Sequence, residues 1–347
     1  MSKFCEEIAE FVLKCPSAEN DAVLSQYEEQ FPYTRALRVI KKDYDKEKEV
    51  EGQLCDAVEA GCVEVVEYLL RGKSVLPPID ACMLASRMGN NIMLAYVHQR
   101  GYMLRNNALH TAVVRGHLEC LMYTHNSGVP LSDFLLWETA QYGQHACMQY
   151  LHRNGCRWDP VACSYAALNG HLDCLQYAHE NGCPWGEDTC RYAALEGHLH
   201  SLQYAYQNGC PWNAGTCHNA ATKGNLTCLQ YAMENGCAPN EETCECAAEF
   251  GHLDCLTYLH ERGCPWDQRT CVAAALENQL ECLTYAHEHG CPWDENTCTA
   301  AARGGHLNCL EYAHEHRCKW NKETYAAALS TGDKGCLRFL RAKGCPT

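Results

Sequence analysis

The stretch from Val161 to Glu187 reads VACSYAALNGHLDCLQYAHENGCPWGE, and the chain repeats this pattern many times. Glycine recurs every 27 residues at Gly101, Gly128, Gly155, Gly182, Gly209, Gly236, Gly263 and Gly290; Arg317 interrupts the series before Gly344. Tyrosine keeps the same period at Tyr96, Tyr123, Tyr150, Tyr177, Tyr204, Tyr231, Tyr258, Tyr285 and Tyr312, with Phe339 as the tenth member. This self-similarity indicates ten repeats from Asp80 to Thr347, preceded by a looser eleventh around Gly52 to Ile79.

Each repeat reads as two short α-helices joined by a glycine turn. Asp159 and Pro160 are typical of a helix start, with aspartate as the N-cap and proline at the first helical position. Gly170 is predicted to end the first helix, and the second helix is predicted to run from near Leu172 to Gly182. Helices of about ten residues are unstable alone in water, so each must pack on its partner and on the next repeat. The sequence therefore predicts an all-α helix-pair solenoid.

A family resemblance enters at the glycine turn of these repeats. The segment Ala108 to Glu119, ALHTAVVRGHLE, resembles the ankyrin signature, and so does Ala166 to Asp173. The resemblance covers roughly residues 52–347 and implies an ankyrin-like fold whose function is to bind another protein. An ankyrin repeat has about 33 residues, and the roughly six missing here fall where the β-finger belongs. We therefore expect shortened β-fingers with little or no β-structure.

One variant of the turn points to a narrower resemblance. Gly263 to Asp267, GCPWD, resembles the short ankyrin repeats of giant DNA viruses of amoebae. That resemblance implies a viral protein acting in an infected host cell. The tryptophans of this turn are Trp158, Trp185, Trp212, Trp266, Trp293 and Trp320; because they recur at one place, we interpret them as structural covers of the helix ends.

The two ends of the chain depart from the repeat. Residues 1–50 do not repeat, and Phe4, Ile8 and Phe11 predict one amphipathic helix there, with two more over 22–31 and 36–44. We interpret residues 1–50 as an N-terminal cap of the array at 51–347, and a recruitment region is the alternative. At the other end Asp333, Lys334, Arg338, Arg341 and Lys343 make the last repeat a polar cap.

Net charge, the length of apolar runs and the cysteine content indicate which partners and which cellular compartment to expect. The net charge of −15 disfavours nucleic acid and anionic membrane surfaces as partners. No apolar run of about 20 residues exists, and Glu6, Glu7 and Glu10 do not fit the start of a signal peptide. The 28 cysteines recur at fixed helical positions, which indicates small buried side chains in a reducing compartment. We expect an intracellular monomer of the cytoplasm or nucleus.

The cysteines and histidines also raise a metal hypothesis. No Cys-x2-Cys occurs, but Cys183 and Cys190 flank one turn with six residues between them, as do three equivalent pairs. Core packing is the preferred interpretation, and a Cys/His metal-binding array stays as an alternative. Two histidine series recur as well: His171, His198, His252 and His306 are predicted to order the glycine turn, whereas His179, His260, His287 and His314 are predicted to pack beside the leucine stripe. Protonation below about pH 6 is expected to loosen the array.

Nothing in the sequence indicates catalysis or a cofactor. The chain has no glycine-rich phosphate loop, no nucleophile elbow and no carboxylate pair that stands apart from the repeat. Chemistry needs a unique constellation of groups, and a uniform array does not offer one. The sequence predicts a non-enzymatic protein without a cofactor.

The candidate binding site consists of places that vary between repeats. Places one, five and eight of the first helix share a face, which by the ankyrin resemblance lines the concave surface. Tyr165, Leu168, Tyr192 and Leu195 are predicted to form an apolar patch there, with Glu138, Gln141, Asn219 and Thr222 as its polar rim. The alternative is that the shortened turn tilts these residues into packing. The predicted function is a protein–protein interaction scaffold, or an adaptor that recruits a target to host machinery such as a ubiquitin ligase through residues 1–50.

Overall fold

The computed structural model describes residues 50–71 and 79–347. Within these residues every regular element is an α-helix, and no strand occurs. The described residues divide into two compact units, the first ending at residue 157 and the second spanning residues 158–347. The helices predicted over residues 1–49 lie outside the described residues. The all-α fold with shortened β-fingers is confirmed for the described part of the chain.

The first unit contains four described helix pairs. They are α1 (Val50–Glu59) with α2 (Val63–Leu70), α3 (Ala81–Arg87) with α4 (Asn91–Gln99), α5 (Asn106–Arg115) with α6 (Leu118–Asn126), and α7 (Phe134–Tyr142) with α8 (His145–Arg153). The first helix of each pair contacts the first helix of the next pair, and second helices do the same from α4 to α8. This unit is therefore a stack of helix pairs.

The second unit contains seven helix pairs. They are α9 (Val161–Leu168) with α10 (Leu172–Glu180), α11 (Glu187–Leu195) with α12 (Leu199–Gln207), α13 (Ala214–Thr222) with α14 (Leu226–Glu234), α15 (Glu241–Glu249) with α16 (Leu253–Glu261), α17 (Gln268–Leu276) with α18 (Leu280–Glu288), α19 (Glu295–Gly304) with α20 (Leu307–Glu315), and α21 (Lys322–Thr331) with α22 (Lys334–Ala342). Each pair again contacts the next pair through both helices. This unit is an all-α helix-pair solenoid.

Side-chain caps start most of the first helices of the second unit. Asp267 and Asp294 each accept a hydrogen bond from the backbone amide two residues later, and Asn321 accepts from the amides of Glu323 and Thr324. At Asp159 the carboxylate accepts from the amide of Val161, the residue at which α9 begins. The predicted start at Pro160 is therefore early by one residue, within the usual uncertainty of a helix end.

Glycines with positive φ end the helices. Gly170 has φ +71° and Gly182 has φ +84°, as predicted for left-handed helix ends. Arg317, which interrupts the glycine series, keeps the left-handed conformation at φ +66°, and Asn278 does so at φ +60°. The fold therefore holds this conformation even where the residue has a Cβ.

Small residues bring the first helices close together. Ala166 and Ala167 are fully buried, and so are the corresponding alanine pairs of the following repeats. Leucine fills the matching place on the second helices, where Leu175, Leu202 and Leu229 are fully buried. Because alanine leaves little side-chain volume between helices, neighbouring backbones pack closely along the stack. None of the described helices is both long and apolar enough to cross a membrane.

Candidate functional site

The four apolar residues of the predicted patch lie on two neighbouring helices of the second unit. Tyr165 and Leu168 belong to α9, Tyr192 and Leu195 belong to α11, and the two helices contact each other. All four side chains are half-buried, whereas the alanines between them on the same helices are fully buried. The four residues therefore line the edge of the core and are only partly open to solvent.

The position that Tyr165 occupies in its repeat is buried in the later repeats of the second unit. Ala273, Ala300 and Ala327 occupy the place of Tyr165 in later repeats, and all three are buried. This place therefore lies against the neighbouring first helix, and only a large side chain reaches outward from it. Tyr165 and Tyr192 are the two residues of this unit that place an aromatic ring there.

The two rim residues of the second unit are tied to backbone groups. The side-chain amide of Asn219 donates to the carbonyl of Arg191 on α11 at 3.2 Å. The hydroxyl of Thr222 donates to the carbonyl of His218 at 2.9 Å, four residues earlier on α13. Asn219 therefore holds α13 against α11, next to Tyr192.

The other two rim residues, Glu138 and Gln141, lie on α7 in the first unit. One carboxylate oxygen of Glu138 lies 2.8 Å from Nε2 of His110, while the other is buried and has no hydrogen-bond partner among the described residues. The Glu138 side chain is only 15 % exposed. The patch and these two residues belong to different compact units, so the described geometry does not place them together.

The structure also exposes apolar side chains outside the predicted site. Phe134 at the start of α7 is 70 % exposed, and Ile92 on α4 is 72 % exposed. Val161 takes the same place in its repeat as Phe134 and is exposed too. The exposure of Phe134 could therefore have been predicted from the sequence, because the first position of the repeat belongs to the predicted face.

A histidine–tyrosine contact links second helices along each unit. Nδ1 of His179 lies 3.0 Å from the hydroxyl of Tyr204, and the pair recurs at His260 with Tyr285. Trp185 stacks on His179 with ring centroids 3.7 Å apart and planes at 11°. These half-buried rings support the predictions that this histidine series packs and that the tryptophans cover helix ends.

Burial affects the protonation of this histidine series near the C-terminus. It lowers the pKa of His287 and of His314 below the ordinary histidine value. Electrostatic repulsion from His316 beside His287, and from Lys343 near His314, acts in the same direction. Both rings therefore favour the neutral form in the folded chain.

The other histidine series connects repeats as well as ordering its own turn. Nε2 of His252 donates to the carbonyl of Thr222 at 3.1 Å, and Nε2 of His117 donates to the carbonyl of Arg87 at 3.3 Å. Each ring thus reaches a carbonyl at the end of the first helix of the preceding repeat. A buried backbone acceptor without a partner is costly, so this bond stabilises the contact between repeats.

Two cysteines of each typical repeat in the second unit lie against each other. Cys183 lies against Cys163 on α9, and the Cys183 thiol donates to the carbonyl of Asp159 at 3.5 Å. The interaction between the two thiols raises the pKa of Cys163 and lowers that of Cys183. Cys190 makes the equivalent contact with Cys210 in the next repeat.

No disulfide occurs among the described cysteines, nearly all of which are buried. Across residues 50–71 and 79–347, three or more cysteine, histidine or carboxylate side chains never come together as a metal site would require. The described part of the chain therefore supports core packing of the thiols. It offers no support for a Cys/His metal-binding array.

Comparison with known proteins gives a limited result. No protein-family model matches the chain, and no curated protein matches it. Among solved structures it is similar to the ankyrin repeat domain of human ASB11, at 18% sequence identity and a TM-score of 0.39. That match covers 45% of this chain and 84% of the other. The fold class stated above rests on the helix pairs themselves.

Proposed function

We propose that this chain is a non-enzymatic scaffold that binds a partner protein on the first-helix face of residues 161–222. One observation carries the proposal: the residues that vary between repeats lie at the edge of an unvarying buried frame. In the second unit the alanine pairs stay the same and fully buried through Ala301 and Ala302, while the place of Tyr165 holds tyrosine, asparagine, cysteine or alanine. A frame that is conserved between repeats with a variable edge is typical of repeat-protein binding surfaces.

The chemistry of the face suits a protein partner. Tyr165 and Tyr192 are half-buried, so each ring is partly ordered before binding and still has surface to cover. Tyrosine is enriched among the residues that carry most of the binding energy in protein interfaces. Leu168 and Leu195 extend the apolar surface, and Asn219 contributes a polar edge.

The proposal also includes the absence of enzymatic activity. Histidines and cysteines of the described repeats are used in contacts that recur from one repeat to the next, such as His179 with Tyr204 and Cys163 with Cys183. A catalytic base or nucleophile is needed once and in a distinct environment. We expect no enzymatic activity, no nucleic-acid partner and a monomeric chain.

The test is affinity capture with matched variants. The resemblance of Gly263 to Asp267 to giant-virus repeats makes an amoebal lysate the first source of partners. Wild type is compared with Tyr165→Ala/Tyr192→Ala, and with Gln176→Ala/Gln203→Ala as a control on the second helices of the same two repeats. Circular dichroism checks that all three chains are folded.

We expect one partner to be lost from the tyrosine variant alone. The glutamine variant should retain it, because Gln176 and Gln203 lie on α10 and α12. If the folded tyrosine variant keeps every partner, the first-helix face is not the site. A chain lacking residues 1–50 then tests the adaptor alternative, in which that segment docks on host machinery.

A further inference from the structure

The second unit has an internal site for an indole ring in most of its repeats. Trp185 stacks on His179, and Trp320 stacks on His314 with ring centroids 3.9 Å apart and planes at 9°. The edge of Trp185 also meets the ring of Tyr204, with centroids 6.2 Å apart. Each of these tryptophans thus lies over a histidine and against an aromatic ring of the next repeat, which is Tyr204 for Trp185 and Phe339 for Trp320.

The first unit contains the same frame without the tryptophan. Nδ1 of His98 lies 2.9 Å from the hydroxyl of Tyr123, with ring centroids 5.9 Å apart and planes at 86°. The corresponding distances for His179 and Tyr204 are 3.0 Å and 5.8 Å. Leu104 stands three 27-residue periods before Trp185, so this repeat carries a leucine at the sequence position of the tryptophan.

A cavity of about 370 Å³ lies where the indole ring is missing. Its walls include His98, Tyr102, Leu104 and Val129, of which Tyr102 and Val129 are buried. This volume lies within the range of about 300–1,000 Å³ that is usual for ligand sites. The hollow therefore has a fixed floor and room for a planar ring.

The rim of the hollow points to a macromolecular ligand. Met103 lines it and is 68 % exposed, whereas proline fills this place in the repeat of Trp185. An exposed methionine is a flexible apolar contact that adapts to a partner's shape. The turn residues Tyr102, Met103 and Leu104 thus replace Cys-Pro-Trp with an open site and an apolar edge.

We infer that the hollow over His98 is a vacant copy of the internal indole site and takes a tryptophan side chain from a partner protein. The ring lies flat on the His98 imidazole and meets the Tyr123 ring at a steep angle, as Trp185 does with His179 and Tyr204. The Met103 side chain covers the partner's backbone beside the ring. This site lies in the first unit and is independent of the first-helix face.

The test uses the full chain and N-acetyl-5-fluorotryptophanamide, observed by fluorine NMR. We expect saturable binding to wild type and its loss in Leu104→Trp, which fills the hollow, and in His98→Ala, which removes the stacking face. Leu131→Trp is the control, because it places an indole at the same position in the next repeat, beside His125 and Tyr150. If Leu104→Trp does not fold, His98→Ala decides the outcome.

Three results would overturn the inference. The first is no binding of the probe to wild type at millimolar concentration. The second is binding that persists in folded Leu104→Trp or His98→Ala, or that disappears equally in Leu131→Trp. The third is free tryptophan binding at least as tightly as the amide, which would assign the hollow to a small molecule in place of a protein side chain.

Discussion

Two glycines of one repeat have the same backbone conformation but different surroundings. Gly224 has φ +71° and Gly236 has φ +89°. An ideal Cβ on Gly224 lies 2.5 Å from Nδ1 of His252 in the next repeat, whereas a Cβ on Gly236 meets nothing within 4 Å. Replacing each glycine with alanine therefore separates backbone strain from the contact between repeats.

The structure gives a magnitude for each substitution. A left-handed conformation costs a residue with a Cβ about 1–2 kcal/mol, and both variants incur this cost. Gly224→Ala also forces the His252 ring to move, which adds overpacking strain of about 1–3 kcal/mol. It disrupts the 3.1 Å bond from His252 to Thr222 as well, worth about 1 kcal/mol. We expect losses of about 3–6 kcal/mol for Gly224→Ala and about 1–2 kcal/mol for Gly236→Ala.

The assay is equilibrium unfolding in urea followed by far-UV circular dichroism. An unchanged slope with denaturant licenses comparison of the free energies of unfolding. In the background of His252→Ala, the cost of Gly224→Ala should fall to that of Gly236→Ala, because the obstructing ring is gone. Equal losses for the two glycine variants in wild type would refute the reasoning.

Three further predictions concern the backbone conformation of Arg317, the protonation of two histidines and the exposure of two thiols. Arg317→Gly should raise the free energy of unfolding by about 1–2 kcal/mol in the same urea assay, because Arg317 holds φ +66°; an unchanged midpoint would contradict this. The lowered pKa values of His287 and His314 mean that the folded state binds fewer protons than the unfolded state, so stability should fall as pH drops through the unfolded value of 6.5. His287→Gln/His314→Gln should flatten that urea-midpoint profile, and an identical profile would count against it. Cys55 and Cys246 should react with iodoacetamide before any other described cysteine, since they alone are half-buried; mass mapping that finds buried thiols first would overturn this.

Much of the fold follows from the sequence because the repeat makes local signals redundant. Gly170 ends α9 in the left-handed conformation, and Asp267 caps α17, because both effects depend on a few neighbouring residues. The 27-residue period then fixes where every later helix begins. Arg317 stands at a position of the glycine series, so the period also indicates that it adopts the left-handed conformation.

Contacts between residues far apart along the chain were harder to predict. Cys163 and Cys183 each recur with the 27-residue period, but their contact depends on the turn folding back onto its own first helix. His252 was expected to order its own turn, and its bond to Thr222 depends on the distance between repeats. Neither distance is encoded in local spacing.

The sequence predicted the candidate site only in part, because it does not encode how closely neighbouring repeats pack. The helix period places Tyr165 and Leu168 on one face, but the exposure of that face depends on how closely the next first helix packs. The buried Ala273 shows that the same place is closed elsewhere in the second unit. The missing indole over His98 could be found in the sequence only by comparing Leu104 with the tryptophans of later repeats.

Hydroxyl-radical footprinting of the chain with its captured partner tests the central claim most directly, because it reads side-chain exposure residue by residue. The account predicts that oxidation of Tyr165 and Tyr192 falls in the complex, while Tyr142 on α7, which is exposed, keeps its rate. Unchanged oxidation of Tyr165 and Tyr192 in a saturated complex would contradict the assignment of the first-helix face as the binding surface.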